Sequence, residues 1–158
     1  MDTSVTIIGL VITLLIAIPL TLVFRSNVLN KAKVKQIKQQ YSQNNLYNFE
    51  TSETQNKKIL SLDKENKSFL FIDFSYKEEA VYFVDLKNIL LCNLAVTTQS
   101  KLGTVATVKI ELVHKDTMQK ELIPIYNIDN HMLDFNCLYE DHRLAEKWVA
   151  AINDCISK

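Results

Sequence analysis

An α+β fold made mostly of strands is predicted for this chain by three observations. From Lys57 onward the sequence breaks into short runs whose apolar residues alternate with period two. The last sixteen residues, "RLAEKWVAAINDCISK", carry the one tryptophan and repeat their apolar positions with a helical period. Near the N-terminus, twenty residues pass without a charge.

That uncharged run, Val5–Phe24, reads "VTIIGLVITLLIAIPLTLVF". As a helix it spans about 30 Å, the thickness of a hydrocarbon core. Gly9 and Pro19 are tolerated in membrane helices. A cleavable signal peptide would have a basic start and a shorter apolar core; here only Asp2 is charged and no small-residue cleavage site follows. Residues 1–24 are therefore read as an uncleaved anchor that contacts the bilayer through residues 5–24. Arg25, Lys31, Lys33, Lys35 and Lys38 follow it, with no basic residue before it. The positive-inside rule then predicts a single-pass protein of the cell membrane, its N-terminus outside and its C-terminal domain cytoplasmic.

Residues 25–56 are read as a basic stalk and polar linker. "RSNVLNKAKVKQIKQQ" has helix-forming composition and extends the anchor. Its five cations form a membrane-proximal basic stretch able to lie against anionic headgroups. "SQNNLYNFETSETQN" is polar and lacks sustained periodicity, so it is expected to be a flexible spacer.

The folded part is expected over residues 57–158. "KILSLD" and "SFLFIDF" flank the turn-like "KENK", and "AVYFVDL" follows. "NILLCNLAVTT" is nearly continuous apolar sequence, as in a strand buried on both faces. "TVATVKIELVHK" alternates most cleanly, with Ala106, Val108, Ile110 and Leu112 on one side. "KDTMQ" is a turn and "KELIPIYNI" a strand in which Pro124, lacking a donor, belongs at an edge or a bulge. "HMLDFNCLY" is either a last strand or the approach to the helix. The closing helix begins near Glu140 or Asp141, acids suited to a helix start. Leu144, Trp148, Ala151, Ile152 and Cys155 form its apolar stripe. A small curved sheet leaves its core open at the ends, and this stripe is expected to plug one of them. These elements amount to about six or seven antiparallel strands and one helix.

The order of elements resembles the pleckstrin-homology-like (PH-like) superfold. "AEKWVAAI" (Ala145–Ile152) is similar to that family's closing helix, and "YFVDLKNILLCNL" and "VKIELVHKDTMQKELIPI" to its later hairpins. The resemblance covers about Lys57–Ile156. It implies a bent antiparallel barrel or orthogonal sandwich of seven strands, capped by a C-terminal helix with a buried tryptophan. Lipid-binding members carry clustered Lys and Arg across the first hairpin. Here Lys64 and Lys67 are interleaved with Asp63 and Glu65, and no Arg is present. The resemblance therefore does not bring headgroup recognition with it.

Charge excludes one class of partner. Of 18 Lys/Arg, five lie in residues 25–49; the other 13 face 17 of the 18 acids over residues 50–158. A domain of net charge −4 has no broad cationic face for nucleic acid. Three scattered cysteines, Cys92, Cys137 and Cys155, give no disulfide framework and suit a reducing compartment.

Catalytic patterns are not met. Two glycines cannot build a phosphate loop, and no HExxH, CxxC or GxSxG occurs. His131, Cys137 and His142 match no usual zinc spacing, and adjacent Glu78 and Glu79 cannot share one strand face. No catalytic residue, metal ligand or cofactor is expected. The sequence predicts a membrane-anchored, non-catalytic module with a protein partner, and as its alternative a lipid-sensing or membrane-contact domain that uses the basic stalk.

Overall fold

The computed structural model describes residues 11–13, 15, 16, 31–42, 44, 46–76, 78–98, 104–129 and 137–157. It divides into two compact units, residues 1–44 and 45–158.

In the first unit, residues 11–13, 15 and 16 are helical, with Val11, Ile12, Leu15 and Ile16 exposed. The remainder of the expected anchor, and Arg25, lie outside the described residues. Among the described residues no helix is long and apolar enough to cross a membrane. Residues 31–41 are helical, as the composition of the stalk predicts.

The second unit is α+β and mostly strand. β1 (Thr51–Gln55), β2 (Lys58–Asp63), β3 (Ser68–Asp73) and β4 (Ala80–Asp85) form one antiparallel sheet in that order. β5 (Ile89–Thr98), β6 (Val105–His114) and β7 (Lys120–Asn127) form a second. A 3₁₀ turn at Leu86–Asn88 joins them, and the C-terminal helix runs from Cys137 to Ser157.

β1 differs from the expected flexible spacer: Thr51–Gln55 is a paired strand. Its residues are all polar, so hydropathy shows no period two. The hairpin is instead set by its loop. Asn56 and Lys57 sit at φ 48° and 63°, and Gln55 pairs with Lys58. Two residues of positive φ give the turn whose twist matches the flanking strands.

The β2–β3 turn is organised by Asp63. Its carboxylate accepts the backbone N–H groups of Asn48, Glu65 and Asn66 and the Asn66 side-chain amide, at 2.6–3.0 Å. Burial opposes the charge of Asp63, but these donors outweigh it and hold its pKa below the usual carboxylate value. Pro124 occupies the terminal strand β7, next to a register shift opposite Val108 and Lys109. Its missing N–H is tolerated there.

Leu60, Leu62, Phe69 and Phe71 from the first sheet meet Cys92, Val108, Ile110, Leu112, Ile123 and Ile125 from the second in one buried cluster. The helix packs on β5, β6, β7 and the 3₁₀ turn. It brings Leu144, Ala145, Trp148, Ile152 and Cys155 into the cluster, with Ala151 half-buried against it. The Trp148 ring lies 5.8 Å from that of Phe69, tilted by 47°.

Candidate functional site

Trp148 is buried, yet its indole N–H reaches outward. It donates to Glu53 Oε2 at 2.8 Å, and Lys147 Nζ donates to Glu53 Oε1 at 2.9 Å. Partial burial disfavours the Glu53 carboxylate; these two donors and the Lys147 charge more than offset it, so its pKa lies below the usual value. One residue of β1 is thus fixed to the middle of the C-terminal helix.

A second attachment joins the β1–β2 turn to the start of that helix. Asn56 Nδ2 donates to Asp141 Oδ1 at 3.0 Å and to Glu140 Oε2 at 3.2 Å. Lys58 Nζ donates to Asp141 Oδ2 at 2.8 Å, both side chains 0 % exposed. Burial outweighs these favourable contacts and raises the Asp141 pKa above the ordinary carboxylate range. The tight turn through Asn56 and Lys57, both at positive φ, leaves the Asn56 and Lys58 side chains on one carboxylate.

Between the two attachments lies an open groove of about 610 Å³, lined by Glu53, Gln55, Tyr139, Glu140, Arg143, Leu144 and Lys147. Leu144 is buried, whereas Tyr139 is 70 % exposed and the Arg143 guanidinium sits 5.9 Å from its ring centroid. The wall opposite the helix is β1, a terminal strand bonded only to β2 among the described residues. The Phe74 N–H donates to the Lys57 carbonyl, which turns Lys57 toward β3. Antiparallel alternation then turns Lys58 and Leu60 toward Gln55 and Glu53, and turns the N–H and C=O of Thr54 away from β2.

One end strand of the other sheet, β5, is treated differently. Asn153 of the helix accepts the Cys92 N–H at 3.0 Å and donates to the Cys92 carbonyl at 2.7 Å. Its amide takes the place an added strand would take, and closes the β5 edge at that point.

Other sequence-marked residues do not converge. Lys31 and Lys35 are exposed; Lys38 is half-buried, and burial lowers its pKa. These three share one helical face at i, i+4 and i+7, with exposed Lys33 off it. His114 pairs with Glu121 and His142 with Glu146, at 3.3 and 3.7 Å. No group of three potential metal ligands occurs among the described residues; His131 lies outside them. Burial pushes the Cys92 thiol up to about 12 and raises that of Cys155, so neither is poised as a nucleophile.

The groove was not legible as a site. In the sequence β1 has the composition of a spacer and Asp141 that of a helix-start acid. A signal for Asp141 does exist: it falls three residues before Leu144 and seven before Trp148, on the apolar stripe itself. Comparison of the chain with protein-family models, curated proteins and solved structures finds no match.

Proposed function

We propose that this chain is a single-pass membrane protein whose PH-like cytoplasmic domain is a non-catalytic protein-interaction module, and that an extended segment of its partner docks in the groove between β1 and the C-terminal helix. One observation carries the reading: a terminal strand with outward-turned backbone groups at Thr54 borders a groove walled by an exposed aromatic and an arginine. Main-chain pairing along such an edge supplies affinity, and groove side chains supply selection. Tyr139 and Arg143 are of the types enriched at protein interfaces.

Anchoring is supported by the uncharged stretch 5–24 and by exposed apolar side chains on its described helical residues. It confines the domain to a thin layer and raises its effective concentration toward other membrane proteins. The seven-strand, two-sheet and one-helix arrangement agrees with a PH-like fold.

Photo-crosslinking in native membranes tests the reading. A photoreactive residue at Gln55 or Tyr139 of the full chain is expected to give a discrete protein adduct, and one at Lys109, on β6, none. Adducts at Lys109 alone would assign the interface to another face.

A further inference from the structure

Three of the six exposed aliphatic side chains among the domain's described residues lie at one end of the second sheet; the others, Leu46, Val96 and Leu122, lie apart from it in sequence. Ile89 pairs with His114 and Leu91 with Val113, so Leu90 is an extra residue, a bulge. A bulge re-aims side chains, and here both leucines emerge: Leu90 is 48 % and Leu91 40 % exposed. The β6–β7 turn lies beside them, because the Lys115 N–H donates to the Asn88 carbonyl and Lys115 Nζ to the Lys87 carbonyl. In that turn Met118, held at φ 55°, is 62 % exposed.

We propose that this tip, built from the β5 bulge and the β6–β7 turn, seats in the lipid interface of the membrane that anchors the chain. The inference rests on the anchored reading above. The tip's chemistry favours lipid over protein. Its apolar members are flexible aliphatics, with no tryptophan, tyrosine or arginine among them. Its polar neighbours include exposed Lys87, Lys115 and Lys120. Lysine is depleted at protein interfaces, whereas at a membrane its stem lies along the apolar boundary and its amine reaches the headgroups. Asp85 and Asp116 offset Lys87 and Lys115, and Glu111 pairs with Lys120 at 3.1 Å. Insertion is therefore driven by the aliphatic side chains and not by net charge. Three partly inserted side chains bind weakly; the anchor makes such an encounter intramolecular. Docking at this end gives the domain a fixed attitude at the membrane.

The test uses the full chain, reconstituted in vesicles of phosphatidylcholine with a minor share of phosphatidylglycerol. An environment-sensitive fluorophore is placed on Met118→Cys with Cys137→Ser, since Cys92 and Cys155 are buried. The expected result is blue-shifted emission that lipid-borne quenchers extinguish and that survives high salt. The same fluorophore at Tyr139→Cys stays aqueous and unquenched. Leu90→Asp with Leu91→Asp returns position 118 to aqueous emission while the buried Trp148 keeps its spectrum, which shows the fold intact. Aqueous emission at position 118 in vesicle-borne protein overturns the inference, as does equal quenching at positions 118 and 139. Self-quenching between labelled copies without lipid quenching means that a second copy covers the tip, and also overturns it. If the chain does not float with vesicles at all, the anchored reading fails as well; if it floats and position 118 stays aqueous, this inference alone fails.

Discussion

Replacing Lys58 by Met removes the ammonium that faces Asp141 in a site with no solvent exposure on either side chain. Among the described residues the Asp141 carboxylate then keeps the Asn56 amide, at 3.0 Å, as a close donor. Breaking a buried pair from one side costs about 3–5 kcal/mol, because an uncompensated charge stays inside. Asp141→Leu strands the lysine instead and costs a similar amount. The double replacement removes both charges at similar volume and is expected to be neutral, or to stabilise by up to about 4 kcal/mol. Urea unfolding of residues 45–158 at pH 7, followed through Trp148, measures all four members of this cycle. Acidification adds a signed check. The Asp141 pKa is already raised by burial, so its contribution is present below the ordinary carboxylate range and is lost as pH rises through the raised value. Losing Lys58 raises that pKa further, and the deficit of Lys58→Met should shrink toward pH 5. Single variants that unfold like the parent, or a double variant as unstable as the two singles summed, would mean that Lys58 and Asp141 are not a coupled buried pair.

Trp148→Ala should cost about 3–5 kcal/mol in urea unfolding followed by circular dichroism, since a buried ring and its bond to Glu53 are both lost. Trp148→Phe, which keeps an aromatic ring and loses the bond, should cost less. Asp63 titrates with the opposite sign to Asp141: its pKa is lowered, so its stabilisation is present above the ordinary carboxylate value and is lost as pH falls through the lowered one. Asp63→Ala should therefore flatten the acid limb of a stability–pH curve. Asn153→Ala should cost about 1–3 kcal/mol and speed amide exchange at Cys92, whose N–H and C=O lose their partner.

Where apolar residues mark one face, the fold could be read in advance. β6 alternates Val108, Ile110 and Leu112 inward, and the helix stripe around Trp148 enters the core. "SFLFIDF" is apolar at both parities, and β3 is buried throughout. Pro124 signalled its terminal strand and register shift. β1 escaped because Thr51, Glu53 and Gln55 are polar on the side that pairs across to Lys58, Leu60 and Leu62. Its cue is backbone chemistry at Asn56 and Lys57, where positive φ occurs without a glycine. The groove escaped for the same reason, since one wall is that strand. The Lys58–Asp141 pair joins residues 83 positions apart, which no local pattern relates. Leu90 and Leu91 read as buried strand in a continuous apolar run; the bulge that turns both outward depends on the partner strand's register.

If a partner adds along β1, Thr54→Pro should release it. Proline at Thr54 deletes an N–H turned away from β2, so the β1–β2 ladder keeps its bonds, and proline is tolerated on such an edge. Affinity capture from membranes would compare the full chain with this variant after their melting temperatures are shown to agree. A partner held by the parent chain is expected to be lost from Thr54→Pro, and lost again from Arg143→Glu in the facing wall. Equal recovery of that partner by all three proteins would contradict docking along β1.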